Sequence, residues 1–311
     1  MPGSLRGLAL GWCGSNSPKR APAATVNFVA LDRTRATKVS NTYDYAPEER
    51  HLGGSMADIR LYHWEPNANS GKPMLALGEK GVKWESHYID MLEFDQHKPE
   101  YLAINPQGTI PAMVHDGRVL TESTAIMEYV DEAFDGPPLM PADPRTRWRI
   151  RWWMKFMDQW LGPSFSMIGW STFIGPMVRE RPQEELEAAI ERIPLPERRR
   201  AWRKAMYGEF AEEELAESRR RVALGVDLLE KELGKREYVA SSQYSLGDIN
   251  VFNSTYSLPL GQPELCNRER TPNIMRWLRT VYLRPAVQET WKIGSGRIVD
   301  RFHAMMEEWG E

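Results

Sequence analysis

The sequence predicts a small α/β domain followed by an all-α domain, and three observations carry that prediction. Between residues 56 and 135, short β-type runs alternate with a helical run, then close on a hairpin and a second helix. A proline-rich stretch, Gly136-Pro137-Pro138-Leu139-Met140-Pro141, reads as a linker over residues 136–144. From 145 to 311 the apolar residues recur at helical rather than strand spacing.

In chain order, residues 59–64 form a short strand. Residues 72–80 form a helix that tolerates Pro73 in its first turn and ends at Gly81. Residues 84–89 form a second strand. Residues 112–115 and 118–121 are strands joined by Asp116-Gly117, a hairpin signal in which the glycine supplies a positive φ. A helix over 122–133 places Ala125, Ile126, Tyr129 and Val130 on one face. Two βαβ-like halves of this size make a thioredoxin-like sheet of about four strands. After the linker, Trp148, Trp152, Phe156 and Trp160 recur every four residues. Val222, Val226, Leu229 and Leu233 follow the same logic up to Gly234, as do Ile274, Trp277, Leu278 and Val281. Between them the charged stretch 179–221 is broken into short helices by Pro182, Pro194 and Pro196. Its Arg198-Arg199-Arg200 run reads as a solvated helix face.

Composition narrows the class. The chain has 311 residues, 41% hydrophobic and 27% charged, enough apolar material for a core and unlike a disordered or collagenous chain. No apolar run reaches the ~18 residues of a membrane span. Residues 1–55 carry a net charge of +3 and the remainder −6. An acidic main body argues against nucleic acid or an anionic membrane as partner, because both need a positive field. Cys13 and Cys266 are far apart and in no ligand spacing, so neither a disulfide framework nor a Cys-based zinc site is expected, and a reducing cytoplasm fits best. Residues 1–55 lack periodicity and are rich in Pro, Ser, Gly, Ala and Arg. They read as a disordered extension, or as upstream sequence ahead of a true start at Met56, and are set aside from the fold.

The run Asn105-Pro106-Gln107-Gly108-Thr109-Ile110-Pro111, followed by Glu122-Ser123 at a helix start, resembles the glutathione transferase family. That family joins a thioredoxin-like domain to a helical one. The resemblance implies a cis Pro111 that aims the Ile110 backbone at the cysteinyl amide of glutathione, as an added strand would, with Thr109 beside it. It implies that Ser123 and the free amides of its helix hold the γ-glutamyl α-carboxylate, while Glu122 accepts from the ammonium. Read alone, Thr121 or Ser123 could merely cap that helix. His97, after the second strand, stands where relatives place a basic or amide residue on the glycyl carboxylate; taken alone it is an ordinary surface histidine. Ser245 and Asp248 form an S-x-x-D capping box whose role is folding. Gly247 stands there in place of the family's usual alanine, a helix penalty of up to ~1 kcal/mol.

Within the family, Pro66-Asn67-Ala68-Asn69-Ser70-Gly71-Lys72-Pro73, Ser166-Met167-Ile168-Gly169-Trp170, Ile193-Pro194-Leu195-Pro196-Glu197, Trp202-Arg203-Lys204-Ala205 and Gly208 resemble the bacterial glutathione-dependent β-etherases of lignin breakdown. The likeness spans residues 56–295, including a charged insert that ordinary transferases lack, and fades in the extension and the C-terminal tail. It implies glutathione as co-substrate, no metal, and a dimer with a like or a related chain. Asn69 and Ser70 are the candidates to stabilise the thiolate, beside a helix N-terminus whose dipole adds to the effect. Read structurally, Ser70 would be a helix cap and Asn69 a turn residue. The turn holds no Tyr or Cys, and Tyr62 lies within a strand. Trp160, Phe165, Ile168 and Trp170 are candidates for the aromatic wall, or for plain helix packing. Two rivals stay open: another transferase that conjugates or dehalogenates small electrophiles, and a non-catalytic glutathione-fold subunit.

Overall fold

The computed structural model describes residues 59–295 and 300–308. The extension 1–55, Cys13 and the start expected at Met56 lie outside the described residues.

Strand β1 (Ile59–His63) lies at the centre of a four-stranded sheet of order β2-β1-β3-β4. It runs parallel to β2 (Glu85–Tyr88) and antiparallel to β3 (Ala112–His115), which pairs with β4 (Arg118–Thr121). Period-2 alternation splits the two faces. Ile59, Leu61 and Met113 pack with α1 (Gly71–Lys80) and α3 (Ser123–Ala133), whereas Tyr62, Ala112 and Val114 pack on Tyr101 of α2 (Pro99–Leu102). The β3–β4 turn has positive φ at both Asp116 and Gly117, not at the glycine alone. Both central residues of a type I′ turn need that geometry, and aspartate tolerates it.

Residues 144–178 run as one helical rod: α4 (Pro144–Phe156), a π-turn (Met157–Leu161), α5 (Gly162–Gly169), a second π-turn (Trp170–Ile174) and α6 (Gly175–Val178). Asp143 caps the start by accepting from the Thr146 amide at 2.8 Å. Each π-turn precedes a Gly-Pro pair. Pro163 and Pro176 lack the N–H that an unbroken α-ladder would use, and a Cβ on Gly175 would sit 2.5 Å from the Trp170 carbonyl oxygen. The aromatic stripe that begins in α4 is only partly a core stripe. Trp148 and Trp152 are exposed, and Ile150, Trp153 and Met154 face the core instead.

The charged insert forms α7 (Gln183–Glu191) and α8 (Pro196–Tyr207). The helices that follow are α9 (Glu212–Leu233), α10 (Leu246–Thr255), α11 (Leu258–Gly261), α12 (Pro272–Tyr282), α13 (Pro285–Thr290) and α14 (Asp300–Glu308). α10 is buried along nearly its whole length although Asp248, Asn250, Asn253 and Thr255 are polar, and each of these finds hydrogen-bond partners within the protein. Its box forms as read: the Asp248 carboxylate accepts from the Ser245 and Val239 amides and from Trp277 Nε1, at 2.9–3.0 Å. A Cβ at Gly247 would lie 3.3 Å from Ser245 Oγ and 3.5 Å from Ile150, close but not excluding an alanine. The Pro-rich stretch is pinned at both its groups: the Leu139 amide donates to Asp131 and its carbonyl accepts from the Leu246 amide.

Candidate active site

The turn between β1 and α1 is held by α10 and by Tyr256 just beyond its end. Asn67 donates to the Tyr256 hydroxyl at 2.6 Å, and Asn253 donates to the Ala68 carbonyl at 3.1 Å. The chain folds back so closely that a Cβ on Gly71 would lie 1.7 Å from the Pro66 carbonyl oxygen, so only glycine fits. The buried Ser70 Oγ accepts from the Trp64 amide at 2.9 Å, which leaves its own proton to donate. It makes no side-chain cap on α1. Asn69, next to it, is exposed and reaches three cavities.

The 105–111 loop is locked on itself. Asn105 Nδ2 donates to the Thr109 carbonyl at 2.8 Å and to Thr109 Oγ1 at 2.9 Å, and its Oδ1 accepts from the Gln107 amide at 3.1 Å. Gly108 has φ 62°, and a Cβ there would press on His97 at 3.0 Å and the Gln96 carbonyl at 3.1 Å. The Ile110–Pro111 peptide is cis. Glu122 has φ 68° and ψ 103°, outside the regions open to ordinary side chains. Among the described residues no side chain caps α3, so neither Thr121 nor Ser123 serves as its cap and the first amides of that helix are left for another acceptor.

These pieces enclose a polar cavity of about 310 Å³ lined by Asn69, Gln96, Thr109, Ile110, Pro111, Glu122, Ser123, Arg198 and Trp202, with Met91 and Gly108. A second cavity of about 250 Å³ adjoins it and shares Asn69, Met91 and Ile110. Trp64, Ala68, Ser70, Ser166, Gly169, Trp170 and Ile174 complete its mostly apolar wall. A third, about 520 Å³, lies across Asn69 and Glu122 and is lined by Phe165, Lys72, Asp158 and Ser257 among others. Under it Lys72, 2% exposed, pairs with Asp158 at 2.7 Å. Asp158 also accepts from Thr124 at 2.6 Å and Asn250 at 3.1 Å. Burial lowers the Lys72 pKa while Asp158 raises it. The same lysine contact and the hydroxyl and amide donors hold the Asp158 carboxyl below its ordinary range, against the opposing pull of burial.

Of the four candidate wall residues, Trp170 lines the apolar cavity and Phe165 the third one. Trp160 instead stacks on Phe156 at 4.9 Å, under the Arg221 guanidinium, and Ile168 packs on the main core. Tyr62 stacks on His87 within the sheet layer.

Two readings of single residues change. His97 is 1% exposed, not at the surface, because Trp202 of the insert packs edge-on against it at 5.3 Å. Burial, with Arg198 and Arg192 nearby, pushes its pKa down to about 4, so it is neutral at pH 7. Its neighbour Gln96 is the one that lines the polar cavity. Arg198 likewise does not belong to a solvated face. It lines that cavity, and burial lowers its pKa while Glu122 raises it. Arg199, next to it, binds the Ile193 carbonyl and Glu191. Met91, Gln96, Arg198 and Trp202 are the lining residues of the polar cavity that sequence reasoning missed. The only available signal was the Pro-bounded helix that follows Ile193-Pro194-Leu195-Pro196.

Residues 61–138 match the sequence pattern of the glutathione S-transferase N-terminal domain, and residues 163–285 that of the C-terminal domain. The chain is 38% identical over 242 residues to protein LigF of Sphingobium sp. strain SYK-6, covering 75% of this chain and 93% of LigF. The crystal structure of LigF, described as a beta-etherase, superposes with a TM-score of 0.72 at 38% identity, over 75% of this chain and 98% of that one. Glutathione S-transferase 3 of Zea mays is 26% identical over 239 residues, 76% of this chain and 94% of its own length. A sulfitobacter glutathione transferase homolog with bound glutathione shares the fold, with a TM-score of 0.56 at 21% identity over 75% of this chain and 97% of that one.

Proposed function

The chain is an enzyme of the glutathione S-transferase family, and on that footing we propose that it cleaves β-aryl ethers of lignin-type α-keto aromatics with glutathione as co-substrate. The observation that carries this reading is the pair of cavities, one polar and one apolar, that meet along Asn69 and Ile110. A charged tripeptide suits the first and an aryl ether the second, which puts sulfur and electrophilic carbon together at the seam. The kinship with LigF, a beta-etherase, supports the choice of substrate.

Glutathione lies along the Ile110 backbone in the polar cavity. Ser123 and the uncapped α3 amides take the γ-glutamyl carboxylate, and Glu122 takes the ammonium. Ser70, whose hydroxyl proton is free to donate, and Asn69 stabilise the thiolate near the N-terminus of α1. The thiolate attacks the β-carbon: a C–S bond forms, the C–O bond breaks, and its electron pair leaves on the phenoxide. The adjacent carbonyl activates that carbon, and the thiol proton released earlier ends on the phenol. Little acid catalysis is needed and positioning dominates. Trp170 and Trp64 give the aryl rings an aromatic wall. The enzyme works as a dimer, with a like or related chain, in a reducing cytoplasm.

The test is glutathione-dependent release of phenol from a β-O-4 aryl ether ketone. Equimolar phenol and glutathione thioether, both lost when glutathione is withheld, are expected. Turnover of simple haloaromatics with no ether cleavage would replace this reading with that of a conjugating or dehalogenating transferase.

A further inference from the structure

We infer that Arg198, on the α7–α8 insert, binds the glycyl carboxylate of glutathione together with Gln96, so that the insert makes the site selective for the intact tripeptide. This rests on the glutathione reading above.

Glutathione carries two carboxylates and one ammonium. The Glu122–Ser123 end of the cavity provides for the γ-glutamyl pair, and Ile110 pairs with the middle of the peptide. With Asn69 assigned to sulfur and the Thr109 hydroxyl tied to Asn105, the polar lining groups left for the second carboxylate are Gln96 and Arg198. Both are short of partners. Gln96 is 1% exposed, and among the described residues neither its amide oxygen nor its amide nitrogen has a hydrogen-bond partner. The buried Nε of Arg198 likewise has none among the described residues. A guanidinium and an amide withheld from water are unfavourable unless something completes them. A carboxylate supplies the acceptors that the N–H groups lack, taking two parallel bonds from the guanidinium and one from the Gln96 amide nitrogen, though not the donor that the amide oxygen needs.

The insert is built to hold Arg198 in place. Trp202 lies four residues on and therefore on the same helix face. Its ring packs edge-on against Phe94 at 5.9 Å, His97 at 5.3 Å and Trp170 at 4.9 Å. Val178, Leu186, Ile190 and Met206 pack with Phe94 in a small core of their own, which fixes the hairpin over the 91–97 loop. The charges that face Arg198 are Glu122 across the cavity and Glu197 beside it.

The experiment is equilibrium binding, by calorimetry, of glutathione and of its glycyl monoethyl ester to the full chain and to Arg198→Gln and Arg198→Lys. The parent is expected to prefer glutathione by about ten-fold or more, the size of a lost charge-assisted bond. In Arg198→Gln the preference should shrink to within about three-fold, chiefly through weaker glutathione binding, with Arg198→Lys in between. Unchanged thermal melting guards against misfolding, and the ratio within each variant is insensitive to the fraction folded. An Arg198→Gln variant that keeps the parental ratio, or a parent that does not discriminate, would overturn this inference and leave the glutathione reading standing. A parent that binds neither ligand would overturn both.

Discussion

Glu122 holds a backbone conformation that side chains avoid, at the point where the glutathione ammonium would sit. Strain of this kind amounts to about 1–3 kcal/mol and is retained where a side chain has work to do. Replacing Glu122 with glycine is therefore expected to stabilise the fold by about 1 kcal/mol in denaturant melts. The same change should weaken glutathione binding by about ten-fold or more, as for a lost charge-assisted contact. A variant that is less stable and binds normally would contradict both halves. His97 gives a pH signature. Its pKa lies near 4 in the fold and about 6.5 in the unfolded chain, so between those values the unfolded state holds more protons. Stability is thus lost as pH falls from 6.5 toward 4. His97→Leu should lose less melting temperature than the parent between about pH 7 and pH 5, and an equal loss in both proteins would refute this. Among single residues, those in continuous motifs were legible: Asn69, Ser70, Ile110, Glu122 and Ser123 all line the cavities. Arg198 was not, because nothing in an Arg-Arg-Arg run says which one a helix turns inward.

Elements were legible wherever local chemistry decided them. All four strands, the α1 stop at Gly81 and the Ser245–Asp248 box lie within a residue or so of where their patterns place them. The π-turns were not foreseen, because periodicity at every fourth residue is nearly blind to one inserted residue. The aromatics that begin in α4 illustrate this: Trp152, Phe156 and Trp160 stack in a continuous row across the first π-turn, from exposed Trp152 to Phe156 and Trp160, which pack against the core. The rod meets α1, α3 and α10 through Asp158, in a junction no local pattern reveals. Removing the cation there leaves a partly buried carboxylate uncompensated. Lys72→Ala should cost about 3 kcal/mol of stability in chemical denaturation. Lys72→Ala,Asp158→Asn together should recover part of that loss, and a double variant no better than the single would show the pair to be energetically idle.

At the scale of the whole molecule, a small α/β domain and a helical domain share one continuous core, and the site lies along their junction. The order of domains was readable from the alternation of strands and helices and from the Pro-rich stretch. How the insert folds back over the 91–97 loop was not, since that contact joins residues about a hundred apart through Phe94 and Trp202. The proposal depends most on sulfur lying at the seam of two cavities, activated by Asn69 and Ser70. The thiolate absorbance of bound glutathione, titrated against pH in the parent and in Asn69→Ala,Ser70→Ala, measures this directly. The parent should hold glutathione as thiolate at pH 7, below the ordinary thiol value of about 8.5, and the double variant should bind it as thiol. A double variant with the parental titration, or a parent that binds only thiol at pH 7, would contradict it.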